Sequence, residues 1–376
     1  MSEEKSLKTI LICLIVFFLI SCSVTKTVYD DNTVTDKTSA ELPVQEIPAA
    51  EIPPPPVMVV YEGDILNIFF HGLIAWPEIA FRGSMKDFFL EWYVTADEYR
   101  KILNELYLNN YALIDIKELY EIVNRDGVKS VLYKKPLVPE GKKPMVLSVD
   151  DLSYYEHVKA NGSVHKLVID DKGGIAAWTD RGNGGELSYD LDVVTCLEEF
   201  IKKHPDFSVR GAKGILALTG YEGILGYFTH EPDSPRYQDE KKQAIAVVNK
   251  LKEMNWHFAS HSWGHINFAV KPMSWLIYDQ KLWDQQVKPI LGETELFIYP
   301  FGAGVEHQPE KHNYLRGRNF SVFFGVGSGF GYSERKGYLY FDRRNIDGFY
   351  FRVFKDHPDR LFDFDKVVDK EMRNIK

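Results

Sequence analysis

Cysteine is scarce in this chain: three among 376 residues. Cys13 and Cys22 fall in or at the end of an apolar amino-terminal stretch, which leaves Cys196 alone and excludes a disulfide framework in the rest of the chain. Cys196 lies in Val193-Val194-Thr195-Cys196-Leu197 and reads as a small buried hydrophobe. Positive charge is also short. Lys and Arg number 45 against 54 Asp and Glu, a net charge of −9. Nucleic acid is repelled by such a surface unless a local basic patch intervenes, so no nucleic-acid partner is expected, and a neutral or cationic one fits better. Long apolar runs are missing too: residues 10–20 form the longest, too short to cross a bilayer comfortably. There is no internal repeat, which excludes a solenoid. The 45% apolar content suffices for one large α/β domain or two smaller ones.

The amino terminus reads as a targeting segment rather than as part of the fold. Lys5 and Lys8 precede the apolar run, which ends in Leu19-Ile20-Ser21-Cys22. This resembles the bacterial lipoprotein signal, and the resemblance implies that Cys22 becomes the first mature residue and carries lipid. Residues 1–22 are thus expected to be a signal peptide, and the protein to be exported and lipid-anchored to a bacterial cell membrane, facing the periplasm or exterior. Residues 23–57 are polar and contain Pro53-Pro54-Pro55-Pro56, so they read as a disordered tether with an extended reach of roughly 100 Å. Residues 58–376 are expected to form the folded domain.

Within that domain, strands alternate with helices. Apolar runs at 65–71, 145–149, 214–218, 256–259, 295–299 and 322–324 read as buried strands. Helices are expected at 96–108, capped by Thr95, and at 117–123, 191–203 and 238–254. Segments 166–170 and 175–178 flank Asp171-Lys172-Gly173-Gly174 and predict a hairpin. The alternation argues for a parallel sheet or barrel. The glycine-rich run 324–331 lacks the G-x-G-x-x-G spacing of a dinucleotide site and reads as a flexible loop.

The apolar run Met145-Val146-Leu147-Ser148-Val149 stops at Asp150-Asp151. Much later come His261 and His265, in Ala259-Ser260-His261-Ser262-Trp263-Gly264-His265. One carboxylate and two imidazoles make a metal site with open positions, and a second carboxylate beside it can take a proton from water. A zincin helix is disfavoured, because Ser262 stands where its Glu belongs and Gly264 opposes a helix. An iron oxygenase is disfavoured because its His-x-Asp/Glu pairing is missing. His71, Asp150-Asp151, His261 and Pro300-Phe301 all lie at or just past the end of an expected strand, the edge where α/β folds gather their chemistry.

Three segments resemble the motifs of the polysaccharide deacetylase family: Ser148-Val149-Asp150-Asp151, His261-Ser262-Trp263-Gly264-His265, and Phe297-Ile298-Tyr299-Pro300-Phe301-Gly302. The resemblance implies a distorted (β/α) barrel. It also implies that Asp151, His261 and His265 bind a divalent metal, zinc foremost, that Asp150 is the base, and that the backbone N–H of Phe301 stabilises the oxyanion. The family's late Leu-x-His motif, which supplies the acid, is not apparent after Phe301. Some members are circularly permuted and carry that histidine on the first strand, and Phe70-His71 matches that arrangement. The arginine that orients the base is displaced as well. Arg343 is the candidate, with Arg344 next to it. The implied activity is removal of N-acetyl groups from a cell-envelope or extracellular polysaccharide containing N-acetylhexosamine. The alternatives are another amide or ester hydrolase on the same scaffold, or a glycan-binding lipoprotein without catalysis.

Overall fold

The computed structural model describes residues 55–374 apart from 126–127, 183 and 336. The expected signal peptide, Cys22 and nearly all of the expected tether lie outside the described residues.

A ten-stranded sheet organises the domain. Its strands are β1 (Leu66–Phe70), β2 (Tyr111–Leu113), β3 (Lys143–Val149), β4 (Gly214–Leu218), β5 (His257–Ser260), β6 (Leu296–Ile298), β7 (Val322–Phe324), β8 (Tyr332–Arg335), β9 (Tyr338–Phe341) and β10 (Arg344–Asn345). They run in the order β8-β9-β7-β6-β5-β4-β3-β1-β10, with β2 beside β3. All pairings are parallel except β8 with β9. Parallel strands are covered on both faces, which is why β1, β4, β6 and β7 are buried at every residue and read as apolar runs, broken only by Asn67 in β1.

The sheet curls into a distorted barrel through a single segment. β9 pairs with β7 at one end of the parallel run, and two residues later β10 pairs with β1 at the other end. The glycine-rich run spans the same seam: the Gly327 N–H donates to the Arg343 carbonyl (2.9 Å), and the Asn67 N–H donates to the Gly329 carbonyl (2.6 Å). The run is a loop as expected, but a packed one. A Cβ at Gly325 would fall 1.8 Å from the Tyr340 hydroxyl oxygen, and Gly329 (φ +83°) lies against Arg344. Close approach of backbone to neighbours explains these glycines.

Helices Ala96–Leu108, Val193–Lys203 and Tyr237–Glu253 form where the 3.6-residue period predicts them. Thr95 and Glu98 make a reciprocal capping box on the first, and Asp192 caps the second. The predicted hairpin is also present, with Lys166–Ile169 antiparallel to Ile175–Thr179 and Glu186–Ser188 as a third strand. The expected helix at 117–123 is not. Ile116–Leu119 is one 3-10 turn, and Tyr120–Arg125 is a strand paired with Val128–Tyr133. Tyr120, Ile122 and Val123 favour a pleated surface, and cross-strand pairing with Val131 and Tyr133 outweighs the short helical pattern.

Side chains alternate across the barrel wall. Leu147 and Val149 of β3 pack outward with Tyr99, Ile102 and Val194 of the helices. Val146 belongs to the other face, with Ile215, Ala217, Ala259 and Ile298. Ser148 and Asp150 follow Val146 at intervals of two, so Asp150 points to the barrel's inner side at its carboxyl-terminal mouth.

Candidate active site

The candidate site residues gather at that mouth. A cleft of about 640 Å³ is lined by His71 after β1, Asp150 and Asp151 after β3, His261 and His265 after β5, and Phe301 after β6. The sequence expectation that these residues share one site therefore describes their positions in the fold.

Asp150 is buried and gripped by Arg343. The guanidinium donates from Nη1 to Oδ1 (2.7 Å) and from Nη2 to Oδ2 (2.9 Å). Arg343 is itself 1% exposed. It also donates to the Ser148 hydroxyl (2.9 Å) and the Gly325 carbonyl (3.2 Å), and it lies over the Phe69 ring. Burial alone would raise the Asp150 pKa. The charge of Arg343, with His261 helping, outweighs it and holds the carboxyl below its ordinary value. Of the two arginines weighed from sequence, Arg344 points elsewhere, donating to the Asp359 carbonyl at 3.0 Å.

Asp151, His261 and His265 converge, each offering a ligand atom within 4.8 Å of the others. Their second partners fit a divalent ion. His261 Nδ1–H donates to the Ile298 carbonyl (2.8 Å), which leaves the Nε2 lone pair free. The Tyr155 hydroxyl donates to Asp151 Oδ1 (2.6 Å), which leaves Oδ2, 3.5 Å from His265 Nε2. Burial pushes the His265 pKa down to about 4, against the opposing pull of Asp151, so this imidazole is neutral at pH 7 as a ligand must be. Burial raises and His265, His261 and His71 lower the Asp151 pKa, with a net downward shift.

Backbone strain is concentrated here. Asp151 (φ +57°), Ser262 (+62°), His265 (+48°) and Phe301 (+60°) all occupy the left-handed region without being glycine. Such conformations cost roughly 1–3 kcal/mol each and persist where the surroundings dictate them. For the histidine loop the surroundings are clear. Buried Asp279 accepts from the Ser262 hydroxyl (3.1 Å), the Trp263 N–H (3.0 Å) and the Gly264 N–H (2.8 Å). Phe301 sits on the turn Pro300–Gly302, and its ring, 65% exposed, lies 4.5 Å from that of His265. The His71 ring nitrogen Nδ1 is 2.9 Å from the Trp92 carbonyl, so it carries the proton and donates, and Nε2 is the nitrogen left for the cleft.

No family model matches the chain. No curated protein matches it either. Solved structures do. The chain is similar to a deacetylase of Streptococcus pyogenes, PplD, solved in complex with acetate: 14% identity, 78% of this chain and 94% of that one covered, TM-score 0.40. It is also similar to a polysaccharide deacetylase of Bacillus cereus: 12% identity, 75% of this chain and 65% of that one, TM-score 0.41.

Several site residues were not singled out from sequence. Tyr155, Thr219 and Asp279 orient the candidate ligands, and Trp92 orients His71. Asp279 carries no local signal, because its partners lie 15–17 positions away. Tyr155 stood four residues past a highlighted aspartate, but nothing in the chain shows that its hydroxyl turns back.

Proposed function

We propose that the protein is a metal-dependent hydrolase that removes N-acetyl groups from a polysaccharide containing N-acetylhexosamine. The observation that carries this reading is the division of labour between adjacent aspartates. Asp150 is clamped by Arg343 and turned from any ligand role, while Asp151 keeps one oxygen free beside two histidines whose remaining nitrogens can ligate. Structural ion pairs alone do not require this pairing with three non-glycine residues of the cleft in left-handed backbone.

Asp151, His261 and His265 would hold the ion. A divalent cation bound there, zinc foremost, would supply Lewis acidity, lowering the pKa of a bound water to about 7 and polarising the acetamide carbonyl. Asp150, ionised at neutral pH under the hold of Arg343, accepts the proton of the attacking water. The Phe301 N–H would stabilise the developing oxyanion, and one such donor contributes roughly 3 kcal/mol to the transition state. His71 delivers a proton from Nε2 to the departing nitrogen, because an amine leaves poorly until protonated. Export and attachment through lipid on Cys22, with residues 23–57 as a tether, complete the reading. The Leu19-Ile20-Ser21-Cys22 signal and the proline run support it.

The direct test is acetate release from N-acetylglucosamine oligomers, peptidoglycan fragments and simple acetyl esters. Activity should vanish with a chelator and return with added divalent ion. Chelator-insensitive acetate release would reject the metal reading, and no release from any glycan would reject the deacetylase reading.

A further inference from the structure

One wall of the cleft is aromatic beyond what the fold requires. Phe88 and Trp92 stand four residues apart on the helix Lys86–Trp92 and so share a face. That helix buries Phe89, packed with Ile74, Ala80 and Tyr93. Phe88 and Trp92 remain 38% and 40% exposed, and both line the cleft that holds the reacting groups. Trp92 is backed by Phe349, with ring centroids 6.2 Å apart and planes 12° from parallel. Phe349 is covered in turn by Arg352, whose charge is paired with Glu91. Trp92 is therefore a fixed plate rather than a loose surface side chain.

The charges of the cleft narrow what such a plate can hold. Asp150, Asp151 and Asp347 line it, with four histidines and, among the described residues, no lysine or arginine. Asp150 is neutralised by Arg343, and Asp151 would be by the ion of the proposed function, which leaves Asp347, held only by neutral donors and two residues before Phe349, as the acid that would repel an anionic ring beside the plate. A neutral or amine-bearing pyranose would not be repelled, and its C–H face suits the electron-rich face of an indole. The volume, about 640 Å³, is that of a site enclosing a whole small ligand rather than an acetyl group alone.

We propose that Trp92, with Phe88 beside it, is a stacking subsite for the sugar ring adjoining the acetylated one, and that this ring is neutral or carries a free amine. The proposal rests on the glycan reading above and deepens it. It also gives Trp92 two separate contributions, since its carbonyl holds His71 while its side chain holds sugar.

The test is isothermal titration of the full chain with N-acetylglucosamine monomer and hexamer, with acetate release followed on the same samples. The wild type should bind the hexamer more tightly than the monomer. Trp92→Ala should weaken hexamer binding about tenfold and raise KM for the hexamer more than it lowers kcat. Trp92→Phe should recover part of the loss. Trp275→Ala, which changes an exposed tryptophan on the helix Met273–Leu282, should bind as wild type does. An oligomer alternating N-acetylglucosamine with glucuronate should bind worse than the neutral hexamer. Unchanged hexamer binding by Trp92→Ala overturns the proposal, as does a wild type that does not distinguish hexamer from monomer or neutral from anionic oligomer. Should Trp92→Ala fail to fold, as judged by circular dichroism, Trp92→Phe and Phe88→Ser decide on the same criterion. Hexamer bound through Trp92 without acetate release would keep the subsite and reject the hydrolase.

Discussion

The hydroxyl of Tyr155 reaches Asp151 Oδ1 at 2.6 Å and so decides which oxygen of that carboxylate stays free. Thr219 is 2.7 Å from the same hydroxyl and fixes its direction. Ligand orientation by such outer partners is commonly worth 10- to 100-fold in metal affinity. Tyr155→Phe, which keeps the ring stacked on Tyr221, should therefore weaken metal binding by about that factor in a chelator competition. Asp151→Asn should weaken it further. Equal affinity in Tyr155→Phe and wild type would show that Tyr155 has no such role.

Asp150→Asn should retain metal and lose turnover by about 10²- to 10⁴-fold, because the amide keeps the shape and cannot accept the proton. Arg343→Met leaves a buried carboxylate uncompensated and should destabilise the fold by about 3–5 kcal/mol in denaturant titration. The Asp150 pKa is lowered in the fold, so the pair's contribution is present above the unfolded value near 3.8 and is lost as pH falls through the folded one. The stability gap between wild type and Arg343→Met should begin to narrow above pH 3.8, as burial lets the uncompensated carboxyl of the variant take up a proton, and should narrow further below it as the wild-type pair is protonated. Metal loss in Asp150→Asn equal to that in Asp151→Asn would mean the two roles are misassigned.

His71→Ala should slow amide hydrolysis while leaving metal content intact. An acetyl ester whose leaving group needs no proton should be much less affected. If amide and ester slow alike, His71 does not act as the acid.

A second buried histidine allows a pH test away from the metal site. His312 packs against Phe323 and Tyr338, and neither ring nitrogen has a hydrogen-bond partner. Burial, with Arg316 adding to it, pushes its pKa down to about 4 from an ordinary 6.5. Between these values the unfolded chain binds a proton that the folded one refuses, so stability is lost as pH falls from 6.5 to 4. His312→Phe should remove that loss. Melting curves of the two proteins should diverge across this interval in favour of the variant, and parallel curves would count against a buried neutral His312.

Cys22→Ser should release the protein from membrane fractions or leave an unprocessed precursor. Undiminished lipid labelling of that variant would exclude Cys22 as the attachment point.

Six of the ten strands were readable in the sequence because burial on both faces makes them mainly apolar runs; β8 is largely exposed and β9 alternates, and β2 and β10 are only two or three residues long, so these four carried no such signal. Asp150 and His261 were readable because each directly follows a buried strand, at Val149 and at Ser260. What escaped was tertiary. The 120–133 hairpin depends on cross-strand pairs, Asp279 on a loop more than a dozen residues away, and Tyr155 on a side chain that doubles back. The choice between Arg343 and Arg344 was equally invisible, since adjacent residues of an extended segment project to opposite sides and only the closed barrel shows which side holds Asp150.

Arg343 stands at the break between β9 and β10, the two residues where the chain passes from one end of the sheet to the other. The segment that seals the barrel is thus the one that delivers the clamp for Asp150. A molecule whose seam has not zipped has Asp150 unheld, however well the earlier strands have formed. Turnover should then report the last folding event rather than overall compactness, appearing with the final seam contacts during refolding and vanishing first when the seam is pried open. On the proposed function, a protein built this way stays inert until β10 is in place, so a chain caught partway through folding is a silent one.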